Sequence, residues 1–183
     1  MSGKHSERAD GHSQAAGDVV IDSPTKADGS ALWRIARDSQ KLDLNSSYAY
    51  LLWCHDFSDT SVVARVDGET VGFITGYRRP SVPDTAVVWQ VAVDSSQRGR
   101  GLAGKLLDAL FTRLTGAGVR YLETTITADN EASIALFSSF AKRWGADLTR
   151  EELYATADFP ADGQHDPEDL YRIGPLAGRP ASG

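Results

Sequence analysis

The stretch Gln97-Arg98-Gly99-Arg100-Gly101-Leu102-Ala103-Gly104-Lys105 carries the clearest chemical pattern in the chain. It lies between an apolar, strand-like run and an amphipathic, helix-like one. Glycines at such a junction let backbone amides approach a phosphate, and the starting helix aims unpaired N–H groups and its positive dipole end at the same spot. An anion-binding loop is therefore expected, against the plainer alternative of a glycine-rich turn. Two common phosphate motifs overlap here and neither fits. Gly99-x4-Gly104-Lys105 has P-loop spacing, but Leu106 follows where a Ser or Thr should hold magnesium. Gly99-x-Gly101-x-x-Gly104 has dinucleotide-fingerprint spacing, and Glu123 lies where a ribose-binding acid would sit. However, five residues separate Val93 from the first glycine, and too few strand–helix units remain downstream for a doubly wound sheet.

The elements that must position this loop can be traced by periodicity. A short strand at 19–21 precedes a helix over 28–39 with Leu32, Ile35 and Ala36 on one stripe. The segment Asp43-Leu44-Asn45-Ser46-Ser47 offers several possible caps for a second helix over about 46–55. Strands at 60–66 and 70–77 flank the hairpin turn Asp67-Gly68. Apolar residues almost throughout 85–93 predict a central strand buried on both faces. A helix over 101–115, a strand over 121–127, and a helix from Asp129 or Asn130 to Gly145 with Ile134, Phe137 and Phe140 inward come next. Strands at 148–156 and 170–173 complete the pattern, separated by the twelve-residue charged loop Asp158 to Asp169, a length typical of functional loops.

The 183 residues, 41% hydrophobic, suffice for one domain with a real core. We expect that domain at 18–176, with a disordered N-terminal tail over 1–17 and a flexible tail over 177–183. A net charge of −6 argues against a nucleic-acid-binding surface and fits small cationic substrates. No apolar run approaches the roughly 20 residues of a membrane helix. Cys54 is the only cysteine, and no leader pattern is visible, so a reducing cytoplasm is expected. His5, His12, His55 and His165 show no metal-ligand spacing, and no metal is expected.

Arg98-x-x-Gly101-x-Ala103 resembles the Q/R-x-x-G-x-G/A signature of the GNAT acyltransferase superfamily, and Asn130-x-x-Ser133-x-x-x-Phe137 resembles its second motif. The element order across 18–176 is also that of GNAT proteins. The resemblance implies an α/β (α+β) fold: a mixed, mostly antiparallel sheet of about seven strands flanked by about four helices, splayed to hold acetyl-CoA. It implies that Val91, Ala92 and Val93 meet the pantetheine through backbone groups and that an N–H there polarises the thioester carbonyl. Arg98, Arg100 and the amides of Gly99, Gly101, Ala103 and Gly104 would hold the pyrophosphate, with Lys105 a solvated alternative. Asn130, Ser133 and Phe137 would meet the pantetheine arm. Many GNAT enzymes carry a Tyr where Phe137 stands, so protonation of the leaving thiolate would fall to Tyr48 or to solvent, or the thiolate would leave unassisted.

The stretches at 42–57, 60–65, 71–80, 87–94 and 169–176 are further similar to the 2,4-diaminobutyrate acetyltransferases of ectoine synthesis, a branch of that superfamily. This implies acetyl transfer to the 4-amino group of a small diamino acid, and a homodimer. Such an acceptor needs acids for its ammoniums and a donor for its carboxylate. Asp43 and Asn45 border the expected pocket, Tyr48 could hydrogen-bond the substrate, and Trp89 could wall its alkyl chain or face an ammonium. His165 and Glu168 sit on the loop before the last strand. The plain alternatives are a helix cap for Asp43, core packing for Tyr48 and Trp89, and solvated charges for the loop pair. An amine with a reference pKa of about 10.4 must lose a proton before attack, and Glu168 first and Asp43 second are the expected bases. The competing readings are another GNAT amine acetyltransferase and an idle acyl-CoA sensor.

Overall fold

The computed structural model describes residues 18–161 and 165–177. Strand β1 (Val19–Asp22) leads through a 3-10 turn at Lys26–Asp28 into helices α1 (Gly29–Ser39) and α2 (Ser47–His55). Strands β2 (Val62–Val66), β3 (Glu69–Arg78) and β4 (Thr85–Val93) are followed by α3 (Leu102–Gly116), β5 (Tyr121–Thr127) and α4 (Glu131–Trp144). Strands β6 (Asp147–Tyr154) and β7 (Glu168–Gly174) end the domain. All seven strands form one sheet in the order β1-β2-β3-β4-β5-β7-β6, antiparallel except between β4 and β5. This is the mixed, mostly antiparallel α/β architecture expected.

Two apolar layers cover the sheet. On one face Leu106, Leu107, Leu110 and Phe111 of α3 meet Phe140 and Trp144 of α4, at about 1.5–3 kcal/mol per fully buried large side chain. On the other, Leu32, Ile35, Tyr50 and Cys54 of α1 and α2 pack on Val63, Phe73 and Ala92. Burial pushes the Cys54 thiol up to about 11, with the Asp28 charge adding to the effect.

Several boundaries differ from the sequence reading. Strand β2 begins at Val62, because Ser58–Thr60 forms a 3-10 turn whose Thr60 hydroxyl donates to the Gly76 carbonyl at 2.6 Å. Strand β7 begins at Glu168, so that residue belongs to the sheet and not to the preceding loop. Strand β4 is not buried throughout, since Trp89 is 53% exposed. The expected tails, 1–17 and all but the first residue of 177–183, lie outside the described residues, as does the middle of the 158–169 loop.

Asp28 ties α1 to the sheet. Its carboxylate accepts from Arg65 Nη2 at 2.8 Å, from the Thr70 hydroxyl at 2.7 Å and from the Thr25 backbone N–H at 2.7 Å. Burial raises its carboxyl, but these hydrogen bonds and the Arg65 charge outweigh that and hold it below the usual value. Asp28→Asn is expected to cost about 2–3 kcal/mol at pH 7, measured by denaturant or thermal unfolding. A carboxylate depressed by folding stabilises fully above its unfolded pKa, and the contribution is lost as pH falls through the folded value. The gap between wild type and variant should therefore close below about pH 4; a gap that persists near ~pH 2 refutes the charge-based account.

Candidate active site

The β4–β5 pairing covers only Thr85↔Tyr121, Ala86↔Leu122 and Val87↔Glu123. Beyond that, β4 stays with β3 to Val93 and β5 stays with β7 to Thr127. The two strands thus diverge, and the rest of the β4 edge has no partner strand on that side. A cleft of about 1130 Å³ opens beside the divergence, above the roughly 300–1,000 Å³ usual for small ligands. Val91, Ala92 and Val93 line one wall and Thr127, Asn130 and Ser133 another. At the closed end, the buried Glu123 accepts from Arg79 Nε at 2.9 Å and from Arg172 of β7.

The glycine loop borders the same cleft. Gly99 and Gly101 hold φ at 74° and 69°, a left-handed geometry costly to any residue with a Cβ. Gly101 is the N-cap of α3 and offers no side chain to the first turn. The N–H groups of Leu102, Ala103 and Gly104 therefore lack intrahelical partners beside the cationic Arg98. Asp94 anchors the approach to the loop: it accepts from Arg34 of α1 at 2.7 Å and caps the Ser95–Gln97 turn through the Ser96 N–H. The Arg34 hydrogen bond is the main cause holding its carboxyl below the usual range.

Most of the residues expected around the coenzyme are brought together here, but two are not. Arg100 turns to Gln97, with Nη1 donating to Oε1 at 2.5 Å, and does not line the cleft. Phe137 is 2% exposed and packs in the core, while the neighbouring Leu136 reaches the cleft. Asn130 lines the cleft and also caps α4, its side-chain oxygen accepting from the Ser133 N–H at 3.1 Å. Sequence reasoning missed Ala132, Leu136, Ser139 and Arg143 on that wall. Their spacing of four, three and four places them on one helical stripe, which was the available signal.

The expected acceptor residues gather elsewhere. His165 Nε2 lies 3.7 Å from both Asp43 Oδ2 and Glu168 Oε1, and its ring stacks on Phe159 at 3.9 Å. The hydrogen bond to the Asp166 backbone is the first cause raising its pKa; slight desolvation opposes it, and the Glu168 and Asp43 charges assist. Glu168 pairs with Thr127 across β7 and β5, and Thr127 lines the coenzyme cleft, so the acidic cluster adjoins it. Asp43 is exposed and does not cap α2, because Ser46 accepts from the Ala49 N–H. Tyr48 is exposed rather than packed in the core. Asn45 lies beside the Tyr50 hydroxyl. That hydroxyl donates to Gln90 Oε1 at 3.1 Å, and Gln90 Nε2 donates to the Asp43 carbonyl at 2.8 Å. Gln90, another residue the sequence did not single out, thereby ties the Asp43 loop to β4. No group of three His, Cys, Asp or Glu among the described residues is placed to hold a metal ion.

The splayed sheet, with a glycine loop and a free helix N-terminus after its central strand, is the arrangement expected of an acyl-CoA-dependent acetyltransferase. Residues 30–141 match the model of the Acetyltransferase (GNAT) family, and the chain belongs to that family. It is 62% identical over 165 residues to L-2,4-diaminobutyric acid acetyltransferase from Streptomyces coelicolor, covering 89% of this chain and 96% of the relative. It is 45% identical over 162 residues to the enzyme of that name from Halomonas elongata, covering 88% and 83%. In structure it is similar to diaminobutyrate acetyltransferase EctA from Paenibacillus lautus in complex with L-2,4-diaminobutyric acid and coenzyme A. The TM-score is 0.84 at 39% identity, covering 90% of this chain and 99% of that one.

Gln90→Leu leaves the Tyr50 hydroxyl and the Asp43 carbonyl without their partner. It is expected to cost about 2–3 kcal/mol and to speed amide hydrogen exchange over residues 43–50 relative to α3. Unchanged exchange there would show that Gln90 does not hold the loop.

Proposed function

We propose that the protein transfers the acetyl group of acetyl-CoA to the 4-amino group of L-2,4-diaminobutyrate, giving N4-acetyl-L-2,4-diaminobutyrate and coenzyme A, in the synthesis of the compatible solute ectoine. The observation that carries this reading is the Asp43–His165–Glu168 cluster beside the coenzyme cleft, in a chain 62% identical to an enzyme of that name. Arg98 and the free amides at the start of α3 hold the pyrophosphate, with Gly99 and Gly101 shaping the loop. The unpartnered β4 backbone over Val91–Val93 takes the pantetheine as a strand would, and Asn130 and Ser133 meet it from α4. Arg100 and Phe137 receive no contact in this reading.

The acidic cluster binds the two ammonium groups of the diamino acid, with Asn45 and Tyr48 at its edge and Trp89 along its alkyl chain. Glu168, first, or Asp43, second, accepts a proton from the 4-ammonium directly or through water. The freed amine attacks the thioester carbonyl, and a β4 backbone N–H stabilises the oxyanion. The C–N bond forms, the oxyanion collapses and breaks the C–S bond, the nitrogen gives up its second proton to solvent, and the thiolate leaves to be protonated by Tyr48 or solvent. His165, set between the two carboxylates, orients them. Exposed Leu44, Leu51, Leu52 and Phe57 on and beside α2 support a homodimer. The buried, protonated Cys54 suits a reducing cytoplasm.

Thiol release from acetyl-CoA is expected with L-2,4-diaminobutyrate in strong preference to ornithine, lysine, spermidine or a peptide amine, with NMR showing acetyl on N4. Turnover of another amine would overturn the acceptor; tight acetyl-CoA binding without turnover would leave a sensor. Glu168→Gln should lower kcat by about 10²- to 10⁴-fold and abolish the acidic limb of the pH–rate profile. An unchanged profile would remove Glu168 as the base.

A further inference from the structure

Strand β4 carries one residue more than β3 opposite it. Thr75 pairs with Gln90 and Gly76 with Val88, which leaves Trp89 without a partner in a one-residue bulge. A bulge can turn two consecutive side chains to the same face, and both here meet α2: Trp89 stacks on Trp53, and Gln90 bonds to Tyr50. The Cβ of any larger residue at position 76 would lie 2.6 Å from the Val87 carbonyl oxygen, so Gly76 permits the local approach of β3 to β4. Trp89 consequently stands 53% exposed from the middle of the sheet. Strand geometry alone does not fix its indole.

Its one stacking partner among the described aromatic pairs is Trp53, with ring centroids 6.2 Å apart and planes inclined by 25°. Trp53 is itself held by Phe57 at 4.8 Å and Tyr77 at 6.5 Å. The two indoles are too close for an alkyl chain to enter between them. Trp53 therefore backs Trp89 and leaves the other face of that indole available. We infer that Trp53 is a positioning residue for acceptor specificity: it acts through Trp89, fixing the indole that walls the diamino acid, and touches neither substrate. This rests on the proposed placement of the acceptor beside Trp89.

The test combines steady-state kinetics with near- and far-ultraviolet circular dichroism on Trp53→Leu, Trp53→Phe, Trp89→Leu and the Trp53→Leu/Trp89→Leu double variant. Stacked indoles couple excitonically, so the Trp53–Trp89 couplet should vanish in either Leu single variant. Trp53→Leu should raise KM for L-2,4-diaminobutyrate about five- to tenfold, as loss of an aromatic contact implies, while KM for acetyl-CoA stays within about twofold. The double variant should be no worse than Trp89→Leu alone, because one residue acts through the other. A Trp89 effect without a Trp53 effect, or multiplicative effects in the double variant, would overturn the proposal while keeping the acceptor site. An unaltered KM in Trp89→Leu would remove the acceptor placement and the proposal with it. If Trp53→Leu does not fold, Trp53→Phe decides: a rise of about two- to threefold confined to diaminobutyrate supports the proposal, and equal KM values overturn it.

Discussion

Backbone pairing between β4 and β5 stops after Val87 and Glu123, and the rest of the active region follows from that stop. An unpaired strand edge inside a domain exposes N–H and C=O groups that require partners. Here the flanking strands continue, so the gap is a stable feature of the sheet. Glu123 marks the closed end, where Arg79, just after β3, and Arg172 from β7 share its buried carboxylate. A lone carboxylate at that depth would be expensive, and removing one partner of such a network generally costs more than the network contributes as a whole. The closed end is thus rigid for electrostatic reasons, while the open end is left for an extended ligand.

In the proposed function, donor and acceptor chemistry fall on different parts of this frame. The coenzyme side uses local features: two left-handed glycines, one helix N-terminus and one face of α4. The acceptor side is assembled from residues distant in sequence, with Asp43 before α2 meeting His165 and Glu168 before and in β7. Its support is correspondingly indirect, through Gln90 to the Asp43 loop and through Phe159 to the His165 ring.

That contrast also explains what the sequence made legible. The hairpin at Asp67-Gly68, the amphipathic α3 and the glycine loop are each specified within about fifteen residues, and each formed where periodicity and turn chemistry placed it. A motif gives the order of residues but not which side chain rotates into the cleft, so the turn of Arg100 to Gln97 and of Phe137 to the core was not legible. The exposure of Trp89 was hidden because a run such as TAVVWQVAV reads as buried on both faces; a one-residue bulge has no apolar signature of its own. Gln90 went unnoticed for a similar reason, since its two partners, Tyr50 and Asp43, lie some forty residues upstream.

The lone cysteine bears on how such an enzyme tolerates its own product. Each turnover releases a free thiol, and a reactive enzyme thiolate would be open to mixed-disulfide formation with oxidised coenzyme. Cys54 is buried, with its thiol pushed up to about 11, so it stays in the unreactive thiol form at neutral pH. The described residues that line the coenzyme cleft include no sulfur, and the one thiol of the chain is packed away under α1 and α2.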